Sequence, residues 1–124
     1  VSTYPFGSVY RKIFPNDPSK LLTTDEGNVI IENDVWIGQN VTIMPGVRIG
    51  SGSIIANNSH VIKSCPEYSI IGGNPAKIIK KRFSESQIEK LLEIKWWDWS
   101  NEKINENLAL ITSSDIDRFI NNYK

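Results

Sequence analysis

The obvious reactive candidates in this sequence are His60 and Cys65, each the only residue of its type. A cysteine nucleophile needs a base within hydrogen-bond reach. A zinc centre built on histidines needs three of them, so one histidine supplies no such site and no metal is expected. The other group with chemical potential is basic: Lys63, Lys77, Lys80 and Lys81. Ammonium groups of this kind can clamp a phosphate, and the adjacent Gly72-Gly73-Asn74-Pro75 exposes backbone amides suited to anionic or amide groups. The competing reading of the lysines is a solvated face. Trp36 stands apart as a large aromatic in a run of short polar and aliphatic residues.

What positions these residues is a period of six over residues 31–66. The first position of each unit is Ile31, Ile37, Ile43, Ile49, Ile55 and Val61; the fifth is Val35, Val41, Val47, Ser53, Ser59 and Cys65. Neither a helix nor a hairpin series keeps such a spacing without drift. A hexapeptide period is one short strand plus one tight corner, and three units close one triangular coil of a parallel β-solenoid. The first-position aliphatics then stack inside, β-branched side chains suited to pleated packing. Asn, Asp and Gly between them tolerate the backbone angles of the corners. In this frame His60 falls at an outward sixth position and Cys65 at an inward fifth. They point to opposite sides of the wall, which leaves Cys65 as a packing residue. Trp36 also falls outside, where it needs cover from a neighbouring subunit, a loop or a ligand.

The sequence is expected to divide at residue 83. Residues 1–83 form an all-β core, with an extended entry strand and an inserted loop at about residues 11–27. Residues 84–124 form a helical extension packed on the solenoid. Ser84 with Gln87 three residues on is a capping-box start, followed by Ile88, Leu91 and Leu92 on one side. Ser100 can cap a second helix bearing Ile104, Leu108 and Ile111, and Ser114 a last short one. Trp96, Trp97 and Trp99 read as packing of this tail. Six hexapeptides make only two coils, fewer than a solenoid needs, so further coils ahead of Val1 or neighbouring subunits are expected to complete it.

Composition excludes several classes. Fourteen acidic and fourteen basic residues balance, which gives no general surface for nucleic acid or anionic membrane. No apolar run reaches the length of a membrane span. One cysteine excludes an internal disulfide framework and suits a reducing compartment, so cytoplasm is the expected location.

The motifs Asn33-Asp34-Val35-Trp36-Ile37-Gly38, Met44-Pro45-Gly46-Val47, Gly72-Gly73-Asn74-Pro75-Ala76-Lys77 and Trp96-Trp97-Asp98-Trp99 occur in that order, with Thr3-Tyr4-Pro5-Phe6 ahead of them. Together they resemble the hexapeptide-repeat acyltransferases. The branch is that of the xenobiotic acetyltransferases, which act on chloramphenicol and streptogramin A, with related sugar O-acetyltransferases. The resemblance implies a left-handed parallel β-helix, a homotrimer, and acetyl transfer from acetyl-CoA to an acceptor hydroxyl. It implies that Gln39, Asn57, Ile62 and Lys63 line the pantetheine side of a groove between subunits. Asn74, Pro75, Ala76, Lys77 and Lys80 would approach the phosphate end. Trp36 would face the reaction chamber, with Tyr4 and Phe6 bordering the acceptor. The family's catalytic histidine, its general base, lies just before the Ser-Thr-Tyr-Pro-Phe segment and would therefore precede Val1; His60 is in a different coil and is not taken as its substitute. The expected acceptor is a sugar or surface-glycan precursor. A streptogramin- or chloramphenicol-type antibiotic is the alternative, and a catalytically inactive β-helix scaffold is the reading from another class.

Overall fold

The computed structural model describes residues 2, 10, 12–16 and 27–123. Tyr4, Phe6 and most of the expected loop at residues 11–27 lie outside the described residues.

The period of six becomes strands of two residues. β1 (Ile30–Ile31), β2 (Trp36–Ile37) and β3 (Thr42–Ile43) make one coil, and β4 (Arg48–Ile49), β5 (Ile54–Ile55) and β6 (His60–Val61) make the next. All pair in parallel with the strand one coil away: Ile31 faces Ile49, Ile37 faces Ile55 and Ile43 faces Val61. Three sheets therefore run up three walls of a solenoid. Every fourth-position residue from the first corner to the fifth is in the left-handed region: Asp34, Asn40, Gly46, Gly52 and Asn58. That is the backbone state which Gly, Asn and Asp enter at least cost.

The sixth corner breaks the rule. Lys63-Ser64 carries no left-handed residue; Tyr68 takes that conformation instead, at φ 53°. The third coil is accordingly short. Ile49 bridges Cys65, and Ile54 and Ile55 pair with Ile70 and Ile71 on β7 (Ser69–Gly73), a step of sixteen residues where the previous one is eighteen. After the Asn74-Pro75 turn, β8 (Ala76–Lys81) returns antiparallel along the free edge of β7, with a bulge opposite Ile70 and Ile71.

Inside the coils Ile49 and Ile55 are fully buried (0% exposed), joined by Val47, Val61, Cys65 and Ile71. The buried fifth-position serines are satisfied: Ser59 Oγ donates to Ala56 O at 2.7 Å, and Ser53 Oγ to Pro66 O at 3.3 Å. Ser69 Oγ, one strand on, donates to Pro66 O at 2.6 Å. The first coil is less enclosed, with Ile31 46% and Ile37 39% exposed in the same ladder positions.

The tail begins as its sequence predicts. Ser84 Oγ accepts from Gln87 N at 3.3 Å and Ser84 N donates to Gln87 Oε1 at 3.1 Å, a complete capping box for α1 (Glu85–Ile94). A 3₁₀ turn (Trp96–Asp98) follows, then α2 (Asn101–Glu106), α3 (Leu108–Ile111) and α4 (Ile116–Asn122). Two expectations need correction. The helix capped by Ser100 does not run on to Ile111, because Asn107 leaves helical geometry and donates from Nδ2 to Lys103 O at 2.7 Å. The last helix is capped by Asp115, which accepts from Arg118 N at 3.0 Å, and not by Ser114. Tyr68, Leu91, Phe119 and Ile120 form the buried cluster of this half, with Trp96 and Trp99 packed against it. Tyr68 comes from the short coil, so it joins the solenoid to the tail. No helix among the described residues is long and apolar enough to cross a membrane.

Candidate functional site

The short third coil creates a groove beside β6. Ile62, Lys63 and Ser64 line one side, where the chain leaves β6. Ile71 closes the back, and Pro75, Ala76, Lys77 and Ile78 line the other side, around a space of about 310 Å³. The two lysines reach it from different segments. Lys63 stands in the last hexapeptide corner, while Lys77 stands on β8 opposite Gly72. Among the described residues neither ammonium group has a hydrogen-bond or carboxylate partner. The rim is apolar, with Ile62 and Ile78 exposed. Two unpaired cations over aliphatic walls suit a ligand that is part apolar chain and part phosphate.

The structure brings together Ile62, Lys63, Pro75, Ala76 and Lys77 from the sequence-predicted set. Asn74 adjoins them in the β7–β8 turn and is exposed. Gln39 and Asn57 stack on one another one coil apart: Gln39 N donates to Asn57 Oδ1 at 2.8 Å, and Asn58 N to Gln39 O at 2.8 Å. Gly38 must be glycine here, since a Cβ would fall 2.8 Å from Asn57 N and 2.9 Å from Ile55 O of the next coil. Lys80 faces elsewhere. It pairs with Ile70 and lines a cavity on the tail side. Lys81 is committed through Nζ to Glu67 O at 2.7 Å, so the four lysines do not form one cluster.

Trp36 projects from β2 and is 70% exposed. His60 is half-buried on β6 opposite Thr42. Cys65 is buried with Sγ 3.8 Å from Ser53 Oγ and is among the residues that line the groove, whereas His60 is not. Among the described residues no group of histidine, cysteine or carboxylates could hold a metal ion. Sequence reasoning missed Ser64, Cys65, Ile71 and Ile78 as groove residues. Their proximity depends on the two-residue shortening, for which the sequence gives only the weak sign of a corner without Asn or Gly.

Comparison with known proteins bears on this geometry. The family described as bacterial transferase hexapeptide (six repeats) matches residues 28–63, the coils themselves. A probable macrolide acetyltransferase of Lysinibacillus sphaericus is 51% identical across 99% of this chain and 69% of its own length. The chain belongs to the hexapeptide-repeat acyltransferases, in the xenobiotic acetyltransferase branch. A second relative in that branch, a chloramphenicol acetyltransferase of Klebsiella aerogenes, is 51% identical over 73% of this chain and 43% of its own. The chain thus spans less than half of that relative. Among solved structures, a hexapeptide-repeat acetyltransferase of Vibrio cholerae complexed with acetyl coenzyme A is 43% identical over 47% of this chain and 32% of its own, with a TM-score of 0.46.

Proposed function

We propose that the full-length protein is an acetyl-CoA-dependent O-acetyltransferase, and that the Lys63–Lys77 groove holds the cofactor. The observation that carries this reading is the pair of unpartnered ammonium groups over an apolar groove of about 310 Å³. Ile62, Pro75 and Ile78 match the methylenes and methyls of a pantetheine arm, and Lys63 and Lys77 match the phosphates of the coenzyme. When bound, acetyl-CoA supplies the activated acetyl group. The chain's own part is to hold and orient: Lys63 and Lys77 fix the anionic end, and the Gln39–Asn57 stack and the Asn74 turn present amides along the groove. Lys80 is not assigned to this set, because it lines a different cavity, on the tail side.

The groove is open on one side and rimmed by exposed isoleucines, and Trp36 is exposed on another wall. A left-handed parallel β-helix assembled as a homotrimer in the cytoplasm covers both. On this reading the solenoid ends near residue 83, and residues 84–124 anchor it. Trp36, with Tyr4 and Phe6, borders the acceptor. The general base is the histidine that the resemblance implies ahead of Ser2-Thr3-Tyr4-Pro5-Phe6; His60 lies outside the groove lining and is not assigned that role.

The macrolide acetyltransferase match over almost the whole chain favours a hydroxyl of a large antibiotic as acceptor over the sugar hydroxyl that motifs alone suggest. The test uses the full-length protein with acetyl-CoA and a panel of macrolides, chloramphenicol, streptogramin A, hexoses and nucleotide-sugars, read as acetylated product by mass. Acetylation confined to sugars would overturn the antibiotic assignment. In calorimetry, Lys77→Ala should weaken CoA binding about tenfold, with a salt dependence smaller than the parent's. No CoA binding by an intact trimer would leave the scaffold reading in its place.

A further inference from the structure

A second cavity lies between the β2–β5–β7–β8 sheet and the helical tail. It has a volume of about 390 Å³ and shares no lining residue with the Lys63–Lys77 groove. Ile54 and Ile70 of the sheet form one wall; Leu110 and Ile111 of α3 and Ile116 and Phe119 of α4 form the other. An apolar body closed by a few polar groups is the usual form of a small-molecule site. Charge in the lining is confined to Asp34, Lys80 and Arg82, two cations against one carboxylate.

Arg82 is fixed at both ends. Its backbone N–H donates to Tyr68 O at 2.8 Å, and Nη1 donates to Gly52 O at 2.6 Å. The guanidinium carbon lies 5.6 Å from the centre of the Tyr68 ring and 5.1 Å from that of Phe83, and both rings also line the cavity. Only Nη1 is used. Among the described residues Nε and Nη2 have no hydrogen-bond partner, and no carboxylate forms an ion pair with the group. Lys80 likewise has neither. Asp34 is exposed to water, so it offsets part of the positive charge without occupying either cation. A half-buried guanidinium held in place with N–H groups to spare is what a carboxylate fills best.

We propose that this cavity binds a small apolar monocarboxylate, an aryl- or alkyl-substituted acid, with its body between the sheet and α3–α4 and its carboxylate on Arg82. Lys80 adds attraction at the same end. One negative charge brings the lining to neutrality, whereas a cation meets two like charges and an uncharged ligand leaves both cations as they were. The volume suits a body of one or two rings.

The experiment is titration calorimetry of the full-length protein with 4-propylbenzoate and with 4-propylbenzamide, which has the same shape and no charge. The acid should bind at least about tenfold more tightly. Arg82→Gln should remove that difference and Lys80→Gln should reduce it. Asp34→Asn, which takes away the like charge, should tighten the acid about threefold and leave the amide unchanged. Ile111→Phe, which fills the space, should abolish binding of both. Saturating CoA should leave the acid's affinity unchanged; loss of the acid in step with CoA occupancy would place it in the cofactor groove and overturn the proposal. So would no binding of the acid, equal binding of the two probes, or acid binding unaltered in both Lys80→Gln and Ile111→Phe. Should Arg82→Gln not fold, those two variants decide it.

Discussion

In the coils, Ile49, Ile55 and Val61 are buried because the same position of the repeat lies directly above or below each of them. In the tail, Leu91 and Phe119 are buried by residues of unrelated spacing: Tyr68, Trp96, Trp99 and Tyr123. The first arrangement is order by repetition, in which each rung both supports and depends on its neighbours. The second is order by complementarity, in which rings of different size fit together once: Trp99 and Tyr123 at 4.7 Å, Phe119 and Tyr123 at 5.2 Å, with Lys103 4.2 Å over Trp99. The difference implies that damage spreads along the coils and stays local in the tail.

Truncating a rung tests this most severely. Ile55→Ala should cost about 4 kcal/mol, and Leu91→Ala about 3 kcal/mol, by lost burial and the cavities left behind. The two should differ more in extent than in size. Hydrogen exchange should rise through β2, β5 and β7 together in the first, and in α1 and α4 alone in the second; uniform exchange in both would break the comparison. Next comes the joint between the regions. Gly52→Ala places a Cβ against the Tyr68 ring in a left-handed residue, and should cost about 2 kcal/mol by denaturant unfolding. Adding Tyr68→Ala should relieve the steric part only.

The same joint has an alkaline signature. Burial, and then the nearby Asp34 charge, push the Tyr68 hydroxyl from 10.0 up to about 12, with Arg82 pulling the other way. The folded state therefore holds this proton more strongly than the unfolded chain. The contribution is full below pH 10 and is lost as pH rises through 12, a fall that Tyr68→Phe should lack relative to the parent. Ser84→Ala, which removes the cap of α1, should cost about 1 kcal/mol and loosen only the tail. The smallest effect is at Asp34. Partial desolvation raises its carboxyl above the usual 3.8, opposed by Arg82, so ionisation opposes folding. Asp34→Asn, which keeps a residue tolerant of the left-handed corner, should match the parent below pH 3.8 and gain on it slightly as pH rises.

The coils were legible because repetition writes the same instruction six times: the ladder positions, the left-handed fourth positions and the inward Cys65 all follow from one frame. The capping box at Ser84 was legible because it is a local exchange between two residues three positions apart, Ser84 and Gln87. The groove was legible in part. Lys63 and Lys77 are read from motifs, but Ile71 and Ile78 reach it only through a register step of sixteen, which the sequence marks only by a corner without Asn or Gly. The Tyr68 corner was not legible at all. A bulky aromatic in a left-handed turn contradicts propensity, and only the tail packed over it makes the conformation worth adopting. Lys80 shows a related limit: the bulge opposite Ile70 and Ile71 breaks simple alternation along β8, so counting from Lys77 does not give its surroundings.

The reversal of β8 along β7 has a consequence for growth. A stack of parallel rungs is an open-ended thing, and whatever finishes it must refuse the next rung. Here the final strand runs the opposite way, so that wall offers no parallel edge to a newcomer. Parallel rungs can be added to that wall from one side only.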